Sequence, residues 1–491
     1  MRYLSAVILL FFVSMALVIA ASPEDKSTGI VEVLVTFQDP NPIIPWQRGP
    51  VSSRRGYGIL LQGGRILTVE SLVHNAKMIE VRKAQSAVKI PAKVELSDKD
   101  CNLALLTAQD NSKISNLLPV EFADKAGLKD KVSIMQFDET AKLQTGDGDI
   151  ILVSANQQSQ IPVFVINYKV QTDLSINGIG SPVFIGDRLL GIVSGSGQKS
   201  IDIIGFPSLK RFMDDYATAP YEGIPTSGLK GKLLLDPSIR KYLGVPDDKG
   251  VMVLGTAPFS PANGKLLLHD IILSIDGYDI DNLGFYNDPL LGRLFFPYII
   301  NGYKKNGDTA VFKVLRDKKE VVVVVPLSRF DDNKYYIPEE DGPEDSEYLV
   351  TGGLIFRELS GRFLKAMGSR AESSNIYKLN YLLNTAYDNP PQPGQKVVFI
   401  LTVLPDDINI GYQNINNQIV TAVNGQPIRS IDDLFAIKDK DGAISTVSLD
   451  GIGVDIVLDK SGIGLADKKI ATQFGVPFIQ YRKGHKGAAN E

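Results

Sequence analysis

The stretch Gln171–Ser194, QTDLSINGIGSPVFIGDRLLGIVS, decides how the first half of the chain is read. It holds two short apolar runs, Val183–Phe184 and Leu189–Val193, behind a small-residue loop, Gly178-Ile179-Gly180-Ser181-Pro182. Short apolar runs bounded by Gly, Asp and Asn read as strands. The same texture extends upstream through Ile30–Thr36, Tyr57–Gln62, Arg65–Thr68, Met78–Arg82, Val132–Gln136, Ile150–Ser154 and Val163–Val170. Closely spaced strands without long helical patterns predict an antiparallel barrel or sandwich. Ser194-Gly195-Ser196-Gly197 reads as a turn after the last strand, and Leu209–Tyr216 as a closing helix.

With 491 residues the chain has room for about three domains of ~150 residues. It is 44% hydrophobic and 22% charged, an ordinary globular balance. The formal charge of −4 gives no basic field, which argues against a nucleic-acid partner. Arg2, the apolar run Leu4–Ala20 and the small residues Ala20-Ala21-Ser22 read as a secretory signal over residues 1–22, so an exported, periplasmic or secreted location is expected. An uncleaved membrane anchor is the alternative, because the run is near spanning length. The lone cysteine, Cys101, excludes an internal disulfide. Three scattered histidines, His74, His269 and His485, give no metal-ligand spacing, and no phosphate-cradling loop is present, so no cofactor is expected.

Beyond Ala217 the pattern changes. Residues 226–329 read as a second unit, with strands at Gly228–Leu234, Val251–Leu254, Asp270–Ile275, Thr309–Leu315 and Glu320–Pro326 and a short helix at Pro237–Leu243. Residues 330–347 form an acidic, proline-containing linker. Residues 348–480 repeat the second unit: DIILSIDGYDI, from Asp270, aligns with QIVTAVNGQPI, from Gln418, each an apolar strand ending in an Asp/Asn-Gly turn. Such self-similarity marks a duplicated module. Residues 372–389 read as a helical insertion, and 481–491 as a basic, glycine-rich tail.

These features together resemble the HtrA/Deg (protease Do-like) family. The resemblance rests on Gly56–Leu60 with Gly64–Thr68, on Asp98–Thr107 (DKDCNLALLT), and on the Gln171–Ser194 stretch. Asn41–Arg48, with Pro45-Trp46-Gln47-Arg48, and Pro119–Phe122 resemble the plant-type branch. The resemblance implies a mainly β chain: a chymotrypsin-like double β-barrel over residues 30–217, followed by two PDZ-like α+β domains.

The family's His, Asp and Ser positions all depart from pattern here. Ser71 stands at the histidine position in Leu67–Val73, and serine cannot serve as a base near neutral pH. Asn102 stands at the aspartate position and cannot stabilise an imidazolium; in a working triad that exchange costs about 10⁴-fold in turnover. The nucleophile loop is two residues short, so either Ser181 or Ile179 takes the serine position. Ile179 also resists the backbone of an oxyanion hole, and Pro182 holds Ser181 extended. His74 reads as an exposed residue at a helix end. Cys101 reads as a packed thiol whose side chain points away from Asn102 along a strand. The expectation is a protease-like barrel without proteolytic chemistry. The alternative is an active serine endopeptidase using Ser181 and His74 in a rearranged site.

By the same resemblance, Ser227-Gly228-Leu229-Lys230 and Gly352-Gly353-Leu354-Ile355 are the peptide-binding loop and strand of the two PDZ-like units. PDZ modules hold extended peptides, often C-termini, by strand addition, with glycine amides turned toward the terminal carboxylate. The resemblance implies peptides or unfolded segments as ligands, a protease partner under regulation, and a homo-oligomer, trimeric by analogy.

Overall fold

The computed structural model describes residues 29–483, apart from 116, 159–161, 246–247, 330, 332–333, 340–345, 369–373 and 386–391. The signal reading of 1–22, half of the acidic linker, His485 and most of the basic tail lie outside the described residues.

Two closed six-stranded antiparallel barrels form the first half. The first comprises β1 (Ile30–Phe37), β2 (Ser52–Leu60), β3 (Arg65–Thr68), β4 (Ala76–Lys83), β5 (Lys89–Asp98) and β6 (Leu103–Ala108), closed in the order β1-β2-β3-β6-β5-β4. The second comprises β7 (Lys131–Phe137), β8 (Leu143–Gln157), β9 (Phe164–Thr172), β10 (Pro182–Ile185), β11 (Arg188–Ser196) and β12 (Ser200–Gly205), closed as β10-β11-β12-β9-β8-β7. Closure leaves no exposed sheet edge. Val31, Val33 and Val35 of β1 are buried on one face of the sheet, and Tyr57 and Ile59 of β2 are buried on the other. Glu32, on the same face as Tyr57, is also fully buried, between Arg55 and Arg82, which keeps its carboxylate paired.

This is the mainly β double barrel that the sequence predicts. Three local readings are corrected. Ser194–Gly197 is no turn, because β11 runs on to Ser196 and turns into β12 at Gly197, whose amide donates to the Ser200 carbonyl at 2.7 Å. β5 went unforeseen, since most of its residues are exposed and it contains Pro91, so its apolar alternation is thin. Asp98–Thr107 is not one strand: β5 ends at Asp98, Asp100–Asn102 form a turn, and β6 starts at Leu103.

A helix, Phe206–Ala217, closes the barrels. The second unit then forms a sheet in the order β14-β15-β16-β20-β21: β14 (Leu229–Leu233), β15 (Val251–Thr256), β16 (Ile271–Ile275), β20 (Thr309–Arg316) and β21 (Lys319–Pro326), with β17 (Tyr278–Asp279) pairing β16. The β20–β21 hairpin turns on Asp317 and Lys318, both with positive φ, as a tight two-residue turn requires. Two small ribbons accompany it, β13 (Pro225–Thr226) with β22 (Ser328–Arg329), and β18 (Phe285–Asp288) with β19 (Gly292–Phe295). The helices Pro237–Leu243 and Tyr298–Tyr303 flank the sheet.

The third unit has the order β29-β28-β26-β25-β24-β23-β30: β23 (Tyr348–Thr351), β24 (Leu354–Glu358), β25 (Val398–Val403), β26 (Gln418–Val423), β28 (Thr446–Leu449), β29 (Ile456–Val457) and β30 (Gln480–Tyr481), with β27 (Gln426–Pro427) pairing β26. β16–β17 and β26–β27 occupy equivalent places in their sheets, each built on the aligned Asp-Gly or Asn-Gly turn. The predicted insertion contains the Ser374–Thr385 helix. Among the described residues no helix is long and apolar enough to cross a membrane.

Candidate functional site

The loop before β10 lies directly on β2. Ile179 pairs in parallel with Gly56, and the Tyr57 amide donates to the Ile179 carbonyl at 2.9 Å. Gly180 has φ +83°, and a Cβ there would stand 2.1 Å from the Tyr57 carbonyl oxygen, so only glycine permits this approach. The Gly180 amide is spent on the Val193 carbonyl at 2.7 Å. On the far side of Gly56 lies Leu72, close enough that a Cβ on Gly56 would meet both Leu72 and the Ile179 oxygen. The short helix Glu70–Val73, which carries Ser71, is therefore a neighbour of the 178–181 loop.

Asn102 completes the cluster. It has φ +55°, which Asn tolerates better than most residues. Its Oδ1 accepts from the Ser71 amide at 2.8 Å, and its carbonyl accepts from the Glu70 amide at 3.1 Å. Both bonds satisfy amides at the start of that helix, so Asn102 works as a helix cap. The three sequence-predicted positions are thus brought together, but in structural roles. Ser181 is fully buried, and its hydroxyl donates to the Gly178 carbonyl at 2.9 Å. Ile179 contributes to the packing of the first barrel's core. His74 sits at the helix end with Nδ1 2.7 Å from Glu70 Oε1, while its carbonyl and that of Ser71 accept from Arg54. Cys101 is buried, though in the Asp100–Asn102 turn rather than along a strand; burial raises its thiol pKa well above the usual range.

The second unit presents a different arrangement. Among the described residues β14 pairs with β15 on one side only, and no described strand pairs its other edge. Beside that edge lies a cavity of about 210 Å³ lined by Leu229, Leu233, Phe295, Phe296 and Ile300, with Gly231 in the middle of β14. A Cβ at Gly231 would approach Val251 at 2.9 Å and Phe296 at 3.9 Å, so the glycine keeps this wall open. Leu229 and Gly231 face the cavity, and Lys230 is exposed on the opposite side. Ser227 and Gly228 form the turn at its end: Gly228 has φ +73°, and a Cβ there would lie 2.2 Å from Ser260 Cβ. Phe164 of the second barrel packs on Phe295 at 5.3 Å, and buried Asn301 bonds the Phe164 amide and the Pro225 carbonyl. The aromatic and helical walls escaped sequence reading, because Phe295–Asn301 lies some seventy residues beyond the strand it faces.

The third unit differs at the matching place. Gly352 and Gly353, with φ +54° and +85°, are the two-residue turn of the β23–β24 hairpin. β24 is paired on both edges, with β23 and with β25. Leu354 and Ile355 are buried. Strand addition at Leu354-Ile355 therefore has no open edge to use. The Gly352 amide donates to Asp467 Oδ1 at 2.6 Å, so an internal carboxylate already occupies this turn. Burial lifts the Asp467 carboxyl above the ordinary aspartate range, opposed by Lys438 3.4 Å away and by the Gly352 amide.

A PDZ domain family model matches residues 337–480. Putative protease Do-like 3, mitochondrial, of Arabidopsis thaliana is 26% identical over 422 residues, covering 83% of this chain and 71% of that protein. Protease Do-like 2, chloroplastic, of the same plant is 28% identical over 428 residues, covering 84% and 67%. Over most of its length the chain is similar to HtrA/Deg, or protease Do-like, proteins, and it carries a PDZ domain match in its third unit. A solved HtrA-type protease, AlgW with a tripeptide, aligns at a TM-score of 0.49 and 20% identity over 63% of this chain and 99% of that one. The cluster at Ser71, Asn102 and Ser181 lies where the two barrels meet, and the PDZ match covers the third unit.

Proposed function

We propose that this HtrA/Deg protein is a pseudoprotease that holds peptides through its second unit, a first PDZ-like module. The observation that carries the reading is the open edge of β14 beside an apolar cavity. An extended peptide adds a strand to such an edge, and its apolar terminal side chain fills the cavity. The resemblance alone gives Ser227-Gly228 the terminal carboxylate, since the Gly228 amide here bonds Thr226 Oγ1 at 3.2 Å. Loss of hydrolysis is supported by the buried Ser181 hydroxyl bonded to Gly178 and by Asn102 acting as a helix cap. The leader-like residues 1–22 support export, and the family likeness supports a homo-oligomer that scaffolds unfolded segments or regulates an active protease.

Casein cleavage by the purified protein, run beside Ser181→Ala and an active HtrA control, tests the chemistry. No cleavage by either form is expected. Cleavage lost in Ser181→Ala establishes the rearranged endopeptidase instead. Fluorescence anisotropy with labelled decapeptides ending in free Phe, Leu or Val tests the groove. Binding is expected to fall at least tenfold in Gly231→Val and on amidation of the peptide terminus; equal binding by all forms rejects the site.

A further inference from the structure

The third unit buries an arginine against the first barrel. Arg357 of β24 is fully buried, a costly place for a guanidinium unless its donors are used. One of them, Nη1, donates to the Pro42 carbonyl at 2.7 Å; another, Nη2, meets Ser346 Oγ at 3.3 Å. The guanidinium carbon also lies 5.2 Å from the Phe363 ring centroid. Arg362, from the adjoining Gly361–Met367 helix, donates to the Pro40 carbonyl at 3.1 Å. Beside these bonds Trp46 packs on Tyr348 with ring centroids 5.4 Å apart, and Tyr348 in turn stacks on Tyr481 of β30.

The loop that meets this surface is pre-shaped. The Asn41 side chain caps the Ile43 and Ile44 amides, the Asn41 amide bonds Gln47, and Gly49 bonds Asp39. Its prolines supply carbonyls without competing amides, which suits a surface of donors. The loop's base is tied to the old catalytic neighbourhood, since Asn75 Nδ2 donates to Asp39 Oδ1 at 2.7 Å one residue after His74.

We propose that the Arg357–Arg362–Tyr348 surface of the third unit is a recognition site for a proline-tryptophan loop, and that its ligand in this chain is the chain's own Pro40–Arg48 segment. The unit thereby acts as a clasp on the first barrel, while foreign peptides are left to the β14 groove. The assignment is independent of peptide binding at that groove.

Trp46 is the chain's single tryptophan, so its fluorescence reports the contact directly. In full-length Arg357→Met/Arg362→Ala, the emission maximum is expected to move to longer wavelength and the iodide Stern–Volmer constant to rise at least twofold. Arg362→Ala alone is expected to give a smaller change in the same sense, which covers the case in which the double variant misfolds. Hydrogen exchange in Trp46→Ala provides the second reading. Faster exchange is expected both in 39–49 and in 348–358, with 229–233 unchanged. Unaltered emission and quenching in a folded arginine variant, or faster exchange confined to 39–49, overturns the clasp.

Discussion

At the residue scale, Ser71, Asn102 and Ser181 each make contacts that hold the local fold. Asn102 is the clearest case, because its side chain, its carbonyl and its left-handed backbone all serve the Glu70–Val73 helix. Asn102→Ala removes the acceptor for the Ser71 amide and strains the backbone, with an expected loss of about 1–2 kcal/mol, measured by denaturant unfolding. Asn102→Asp keeps the acceptor and is expected to stay within about 0.5 kcal/mol of the parent; an Ala variant as stable as the parent refutes the capping role. These positions were legible from sequence because motif spacing fixes which residues face one another in a double barrel. The details were not. Treating Cys101 and Asn102 as alternating strand residues failed, since the positive φ of Asn102 makes a turn there. Nothing in a one-letter string distinguishes an exposed loop serine from Ser181, whose hydroxyl is consumed by a carbonyl three residues back.

At the element scale, the second and third units share a sequence pattern and differ in which strand edges are paired. Among the described residues β14 has one edge without a strand partner, while β24 has none. Sequence reading could not separate them, because a diglycine with positive φ serves equally as an anion-holding turn and as a hairpin turn. Only pairing partners far along the chain decide which. The internal Asp467 at that turn gives a pH signature. Its carboxyl pKa is raised by burial, so the folded chain retains a proton that the unfolded chain releases near pH 4. Its contribution is therefore fully present below the unfolded value. It declines as pH rises through the window between the unfolded and the raised folded value, then stays constant. The Tm of the parent relative to Asp467→Asn, measured by calorimetry, is expected to fall across that window from pH 4 upward. A difference that rises with pH contradicts the assignment.

At the scale of the whole molecule, the units are joined by polar contacts that no local pattern announces. Arg329, at the end of β22, reaches back to the first barrel and bonds buried Asp100 at 2.9 Å and buried Asp98 at 3.1 Å, with Tyr221 donating to Asp98 as well. Burial and the neighbouring Asp98 raise the Asp100 carboxyl pKa, against the pull of Arg329. Arg329→Met leaves two enclosed carboxylates without their cation. A loss of about 3–5 kcal/mol is expected in chemical denaturation, with limited proteolysis cutting first near residues 218–224. A variant as stable and as resistant as the parent removes this contact from the account. The barrels and the duplicated unit were readable because strand texture and internal repetition are local. The Arg329 and Trp46 contacts join residues more than two hundred positions apart, and single-sequence patterns carry no record of such distances.

The Trp46–Tyr348 contact also sets an order of events during synthesis. The loop at residues 40–48 leaves the ribosome about 300 residues ahead of the strands that cover it, an interval of roughly 15–60 s at common elongation rates. Through that interval the first barrel carries an uncovered indole and unclaimed proline carbonyls. That exposure ends only after Tyr348 and, some 130 residues later, Tyr481 have been made and complete the aromatic stack.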